Sequence, residues 1–282
     1  MADRLEIFTG FDIAYPVYEI ITPQTLNKYS LRTMEVSDEE KLKGSFINTK
    51  SIPSHINKTI WSVMKDKPAC IKTYDDFLTH TTTSDRDALL YGLYHITYKE
   101  IQDYEVVCEC EKSYPIKVNV EDSFNINPYT GCDVVDDKGI STFKKAKPND
   151  ILKKRIYVEL DIAKGVIAVI KAPTLYDENV LTTDALFENE ETLKIGTDMI
   201  FIEKFIQTDA EGHTNEIIER DNILIGYKSL PSLDKKKIQK QYEENFGKYN
   251  IEISVKSTCP HCQKINKDNI DLMRNFFRTL FQ

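Results

Sequence analysis

The amino-acid sequence predicts an α+β fold made of two joined halves, with short β-hairpins and helices packed around them. Three observations carry this expectation. Short runs rich in β-branched and aromatic residues alternate with capped helical stretches along the whole chain. A Gly-, Pro- and Lys-containing stretch interrupts the middle of the chain, and a close pair of cysteines ends one predicted strand on each side of it. The composition, 41% hydrophobic and 29% charged over 282 residues, is enough for a packed core in one large or two modest domains.

Residues 5–32 mix β-branched and aromatic side chains with Pro16 and Pro23, which reads as short strands broken by turns. Ser37 precedes an acidic cluster at 38–40 and is expected to cap a short helix. A second helix is predicted over 54–64, where Ile56, Ile60 and Met64 form an apolar stripe, with Pro68 marking its end. The clearest helix spans 84–97: Ser84 is the expected cap, Asp85 and Asp87 suit its positive end, and Leu89, Leu93 and Ile96 share a face. Residues 104–108 and 116–120 read as a hairpin whose connection carries Cys108 and Cys110.

The stretch KGISTFKKAKPNDILKKR, 138–155, reads as an exposed basic linker, which places the division at residues 1–147 and 148–282. The second half opens with strands at 156–160 and 166–170. A helix over 232–246 is expected to be capped by Ser232 and stopped by Gly247. Strand 251–255 delivers the chain to Cys259 and Cys262, and an amphipathic helix is predicted over 270–281. The segments ITPQTL and IKAPTL echo one another too weakly to count as a repeat.

A net charge of −8 argues against a duplex nucleic acid as partner, and no aromatic residues interleave the lysine runs as a single-strand platform needs. No run approaches the roughly 20 apolar residues of a membrane helix, and the first ten residues lack the pattern of a signal peptide. A cytosolic chain is expected, and in that reducing compartment six cysteines read as thiols or metal ligands.

Cys108 and Cys110 (CEC) and Cys259 and Cys262 (CPHC) therefore become the main chemical candidates. Zinc prefers four soft ligands in a tetrahedron, and two thiol pairs on facing turns supply them. The expected result is a zinc-ribbon-like four-cysteine site with structural Zn2+ clipping the halves together, so that neither folds well alone. The CEC spacing is tighter than usual for such a site, and His261 is a candidate substitute ligand. The rivals are a thiol-disulfide oxidoreductase using Cys259 and Cys262, which lacks the following strands and helix that a thioredoxin-like fold requires, and a zinc-ribbon nucleic-acid binder. No GxxxxGK[ST] loop or GxGxxG turn is present, and His55, His80, His95 and His213 stand apart from any nucleophile motif. Cys70 and Cys132 have no nearby partner in sequence.

In order along the chain, YSLRTMEVSDEEKL, INKTIWSVM, DDFLTHTTTSDRDALLYGLYHITY, and EVVCEC followed by PIKVNV resemble the baseplate hub protein family of T-even-like contractile-tailed bacteriophages. Arg32, Asp85, Arg86, Leu89, Leu90, Cys108 and Cys110 carry the likeness. IEISVKSTCPHCQKINKDNIDLMRNFFR is similar to the paired-cysteine ending of such proteins, with its trailing Phe-Phe-Arg. The chain departs from the family in a CxC first pair and in its basic linker. The resemblance implies a non-enzymatic hub assembly factor or structural subunit, working in the host cytoplasm during assembly or in the virion tail baseplate. Its partners would be other tail and hub proteins, with no small-molecule substrate and no membrane. Two aromatic stripes, Tyr91, Tyr94 and Tyr98 and Phe276, Phe277 and Phe281, are candidate contact surfaces, with Tyr94 and Phe276 assigned to the core.

Overall fold

The computed structural model describes residues 15–44, 52–135, 141–209 and 211–270. Small antiparallel sheets and packed helices give the α+β class that the sequence pattern predicts. Strands β1 (Val17–Ile21) and β2 (Lys28–Arg32) are joined by a turn, and after helices α1 (Val36–Gly44) and α2 (Ile52–Val63) the short β3 (Met64–Asp66) completes a sheet of order β1-β2-β3. Ile20, Tyr29 and Leu31 on the strands and Ile56, Ile60 and Val63 on α2 are buried together, so the predicted apolar stripe is real. That helix stops at Val63, and β3 separates it from Pro68.

Helix α1 starts one residue before Ser37, and its entry is held by Asp38 instead. Asp38 accepts hydrogen bonds from the Glu35 N–H at 3.0 Å and from Arg32 Nη1 at 2.8 Å. Burial pushes the Asp38 carboxyl up, but the Arg32 guanidinium, the Glu35 amide and the charge of Lys41 outweigh it and hold the group below its usual range. A lowered folded pKa contributes stability that is present above the unfolded value of about 4 and is lost as pH falls through the folded one. Acid titration of unfolding is expected to show a shallower loss below about pH 4 in Asp38→Asn than in the parent chain.

Helices α3 (Tyr74–His80) and α4 (Thr83–Thr97) follow. The cap of α4 is Thr82, not Ser84: its hydroxyl accepts the Asp85 N–H at 3.1 Å, and the Asp85 carboxylate accepts the Thr82 N–H in return. In the run TTTSDRD both Thr82 and Ser84 stand three residues before an acid, and the exchange is made by the Thr82–Asp85 pair. Tyr94 is buried in the first apolar cluster, as its core assignment expects, and Tyr91, a candidate contact residue, is buried there too, while Tyr98 is half-buried against the cluster. The chain then forms the hairpin β4 (Glu100–Val107) and β5 (Ser113–Asn119), the short β6 (Phe124–Ile126), and a second hairpin, β7 (Gly131–Val135) with β8 (Ser141–Lys145).

The expected basic linker is therefore partly ordered secondary structure. Residues 141–145 form the exposed β8, and α5 (Asp150–Lys153) buries Ile151 completely. Its lysines are exposed along β8, which is why the stretch reads as a solvated connection.

Strands β9 (Ile156–Glu159) and β10 (Val166–Ile170) stand where they are predicted. Helices α6 (Leu175–Thr183) and α7 (Glu190–Asp198) precede β11 (Ile202–Thr208) and β12 (Thr214–Ile217), giving a sheet of order β12-β11-β10-β9. Gly196 on α7 lies against Phe187 and Leu181, where an added Cβ would meet the Phe187 ring at 2.7 Å and Leu181 at 2.9 Å. Gly196→Ala gains helix propensity but overpacks this contact, and urea denaturation is expected to show a net loss of about 1–2 kcal/mol.

Helix α8 (Arg220–Ser229) leads to α9 (Ser232–Tyr242), which continues into a wider π turn, Glu243–Gly247, that buries Phe246. No side chain caps α9; Ser232 is its first residue, and Asp234 instead accepts the amides of Asp161, Ile162 and Ala163. Strand β13 (Ile251–Thr258) pairs with β6 on one edge and with β14 (Ile265–Asn269) on the other. The helix predicted over 270–281, with Phe276, Phe277 and Phe281, lies beyond the described residues after Ile270. Among the described residues no helix is long and apolar enough to cross a membrane.

One apolar cluster collects side chains of β1 to β5 and α1 to α4 and adds Leu175, Ile253 and Ile270. Another runs from Tyr129 through the four-stranded sheet to Tyr249. The starts of α4 and α6 bridge them. Thr83 N–H donates to Pro173 O at 3.1 Å, Leu175 N–H donates to Thr81 O at 2.9 Å, and Arg86 forms an ion pair with Glu178. Strand β13 returns the chain to the first cluster, and this return positions the second cysteine pair.

Candidate metal centre

The hairpins β4–β5 and β13–β14 each close on a tight turn whose first residue is a cysteine. In the first turn Cys108 N–H donates to Lys112 O at 3.0 Å, and Glu111 takes a left-handed φ of 65°. In the second, Cys259 N–H donates to Lys264 O at 2.8 Å, and Gln263 takes a left-handed φ of 64°. Each pair's second cysteine, Cys110 or Cys262, stands immediately before the left-handed residue, and a lysine follows. The two turns thus present their thiols in the same way although one has a single intervening residue and the other has two. This equivalence offsets the tight spacing of CEC.

The structure brings all four predicted cysteines together. Cys108 Sγ lies 3.5 Å from Cys262 Sγ, Cys110 Sγ lies 3.8 Å from Cys259 Sγ, and the four sulfurs are all within 4.8 Å of one another. A tetrahedral zinc with Zn–S bonds of about 2.3 Å sets its sulfurs about 3.8 Å apart, which the observed separations bracket. The donor set and its spacing fit a structural zinc ion held by Cys108, Cys110, Cys259 and Cys262. The group forms without His261, which is exposed.

Cys108 and Cys259 are buried with Val106 and Tyr114, while Cys110 and Cys262 face outward. Tyr114 fixes the arrangement from below: its hydroxyl is 2.8 Å from Ser257 Oγ and accepts from Asn266 Nδ2 at 2.8 Å. Lys264 pairs with Glu109 at 2.9 Å across the two turns.

The thiols are electrostatically unlike one another. The Cys110 amide, against the opposing effect of burial and with help from Asn266 and the thiols of Cys262 and Cys110, draws the Cys108 thiol down to about 6. The Lys264 amide pulls Cys262 down as well, but burial and the sulfurs of Cys108, Cys259 and Cys110 outweigh it and push that thiol up to about 12. Four crowded sulfurs cannot all carry charge unless a cation sits among them. The activation device of a Cys-x-x-Cys redox catalyst is missing from this geometry. Cys259 is wholly buried and follows a strand, rather than standing exposed at a helix start.

Cys70 is exposed and Cys132 half-buried, outside the cluster. His95 packs on the rings of Tyr18 and Tyr91, as a structural histidine does. Sequence reasoning missed a second group, Asp209, Glu211 and His213, which gather on the exposed β11–β12 turn. Their every-other-residue spacing in a hairpin was the available signal.

A family model described as T4 bacteriophage base plate protein matches residues 15–278. No curated protein and no solved structure matches the chain. The match runs from β1 past β14 and so takes in both cysteine turns, both apolar clusters and the sheets that position them, and on that extent the chain belongs to the T4 bacteriophage base plate protein family.

Proposed function

We propose that this baseplate protein is a non-enzymatic subunit or assembly factor of the central hub, built in the host cytoplasm and contacting other tail proteins. Its shape is held by one structural Zn2+ on Cys108, Cys110, Cys259 and Cys262. One observation carries the zinc reading: sulfurs separated by 149 and 154 residues of chain converge with the spacing of a tetrahedral site. The ion would supply charge neutralisation for four thiolates and a cross-link that needs no disulfide, which suits a reducing cytosol. The chain's own part is to present the donors. The left-handed turns at Glu111 and Gln263 aim them, and the Tyr114, Ser257 and Asn266 contacts hold the two hairpins in register. The hub assignment is supported by the ordered sequence likeness, from the Arg32 segment to the cysteine ending.

Elemental analysis of the purified full chain is expected to give about one zinc per molecule, with four thiols protected from alkylation until a chelator is added. A metal content near zero, with all six cysteines freely alkylated, overturns the zinc reading. Glu109→Gln is expected to leave the metal content unchanged, because the Glu109–Lys264 pair is exposed. Tagged protein from infected cells is expected to co-purify with hub components of the tail, and recovery of none of them overturns the hub assignment.

A further inference from the structure

We propose that the metal clip doubles as a modification site: when the ion is lost in an oxidising medium, the cysteines close two disulfides across the hairpins, Cys108 to Cys262 and Cys110 to Cys259. The proposal rests on the four-sulfur clip described above but requires only that the turns meet, not that zinc be the ion.

The pairing follows from the arrangement of the sulfurs. Contacts of 3.5 and 3.8 Å run between the hairpins, joining a thiol of one turn to a thiol of the other; the sulfurs within each pair also lie within 4.8 Å, so the closure geometry selects the partners together with distance. Each cross-hairpin contact combines a buried and an outward sulfur: Cys108 with Cys262, and Cys259 with Cys110. Both bonds can therefore form together without either competing for a shared atom. Closing to the disulfide length of about 2.05 Å needs a shift of under about 2 Å, which rotation about χ1 supplies. A bond within CEC would instead close a small ring between residues two apart, strained against the torsion near 90° that a disulfide prefers. The CPHC spacing is one that a disulfide does close; against it stand the buried Cys259 and outward Cys262 of a turn held by the Cys259–Lys264 and Gln263–Cys259 backbone bonds, each thiol having a cross-hairpin sulfur within 3.8 Å.

The oxidant is a peroxide. For each pair, two S–H bonds break and one S–S bond forms. The two electrons reduce the peroxide O–O bond, and the two protons leave in two molecules of water. The host cytosol opposes this step, and the medium outside the cell favours it. A baseplate protein that leaves the cell within the particle would thus exchange a metal clip for a covalent one between the same two hairpins. Each new bond closes a loop of about 150 residues, and so constrains the unfolded chain strongly.

The test uses the full chain. Its zinc content is measured first; the chain is then treated with chelator and hydrogen peroxide, and finally digested without reduction. Glu-C protease cuts after Glu109 and separates Cys108 from Cys110. Fragmentation of the linked peptides then assigns their partners. The expected result is that the two cross-hairpin linkages exceed any linkage within a pair by at least about tenfold. The unreduced denatured chain should also migrate faster on a gel, and reductant should reverse this. A dominant Cys259–Cys262 linkage, a dominant Cys108–Cys110 linkage, or oxidation to sulfinic acids without any cross-link overturns the proposal. If the chain starts without zinc yet yields the cross-hairpin linkages, the zinc reading fails and this inference stands. If zinc is present and the linkages are within pairs, the reverse holds.

Discussion

Chelation of the metal, or Cys259→Ser, is expected to lower the midpoint of thermal unfolding by about 10 °C and to bring bound zinc from about one per chain to none. A ligand present at a thousandfold over its dissociation constant stabilises the folded state by about 4 kcal/mol, and in a chain of this size each kcal/mol moves the midpoint by about 2–4 °C. Cys259 is the strictest choice for the substitution, because its sulfur is wholly buried beside Val106, Cys108 and Tyr114. A serine there removes a ligand and leaves a hydroxyl in an apolar corner, so the variant loses more than the metal. Chelation of the parent chain separates the two contributions. Cys70→Ser is the control: that thiol is exposed and accepts a long hydrogen bond from Asn149 Nδ2 at 3.5 Å, and neither metal nor midpoint should change. Differential scanning fluorimetry alongside elemental analysis reads both quantities. A midpoint indifferent to chelator, in protein that does contain zinc, would show that β13 and its hairpin are held by the first apolar cluster alone.

Legibility from sequence differed between the parts of this site. The strands leading to the cysteines could be read because β4, β5 and β13 carry β-branched and aromatic residues bounded by clear turns. The equivalence of CEC and CPHC could not, because it depends on left-handed backbone at Glu111 and Gln263, and neither residue is a glycine or asparagine that would mark such a position. Helix α6 was missed although Thr174 and Asp177 form a capping box three residues apart. Strand β11 was missed although Ile202, Phe205 and Ile206 bring apolar residues to a segment of the right length. In the basic stretch the dense lysines concealed both β8 and the buried Ile151, since composition reports what a segment shows to water and not what one residue buries. The caps at Ser37 and Ser84 were displaced for a common reason: a neighbouring acid with a better reach, Asp38 or Asp85, took over the local amides. Ser232 instead becomes the first residue of α9, which no side chain caps, because Asp234 is engaged by the remote amides of residues 161–163.

Asp85→Ala is expected to cost about 3–5 kcal/mol, a large effect for a residue remote from the metal centre. Asp85 has no exposed surface, and its carboxylate accepts the amides of Gln24 at 2.8 Å, Thr25 at 3.2 Å and Thr82 at 3.4 Å. Burial drives its pKa up, against the pull of these donors. Removing it leaves three buried amides without their acceptor, each worth about 1–3 kcal/mol less some relaxation. The damage is not confined to α4. Gln24 also donates through Nε2 to Phe246 O at 3.0 Å, and Asn27 Nδ2 donates to Asn149 Oδ1 at 2.9 Å, so the turn that Asp85 holds is the one through which the first strands reach the second apolar cluster. The internal comparison is α3, where Thr73 and Asp76 form the same capping box on the surface. Water can replace the lost acceptor there, so Asp76→Ala should lose far less stability than Asp85→Ala in the same urea titration. Asp85→Asn should fall between the parent and Asp85→Ala, because its amide oxygen still accepts while its NH2 faces donors. Equal losses at Asp76 and Asp85 would mean that the cap itself, and not the burial of the turn it secures, sets the energy of this junction.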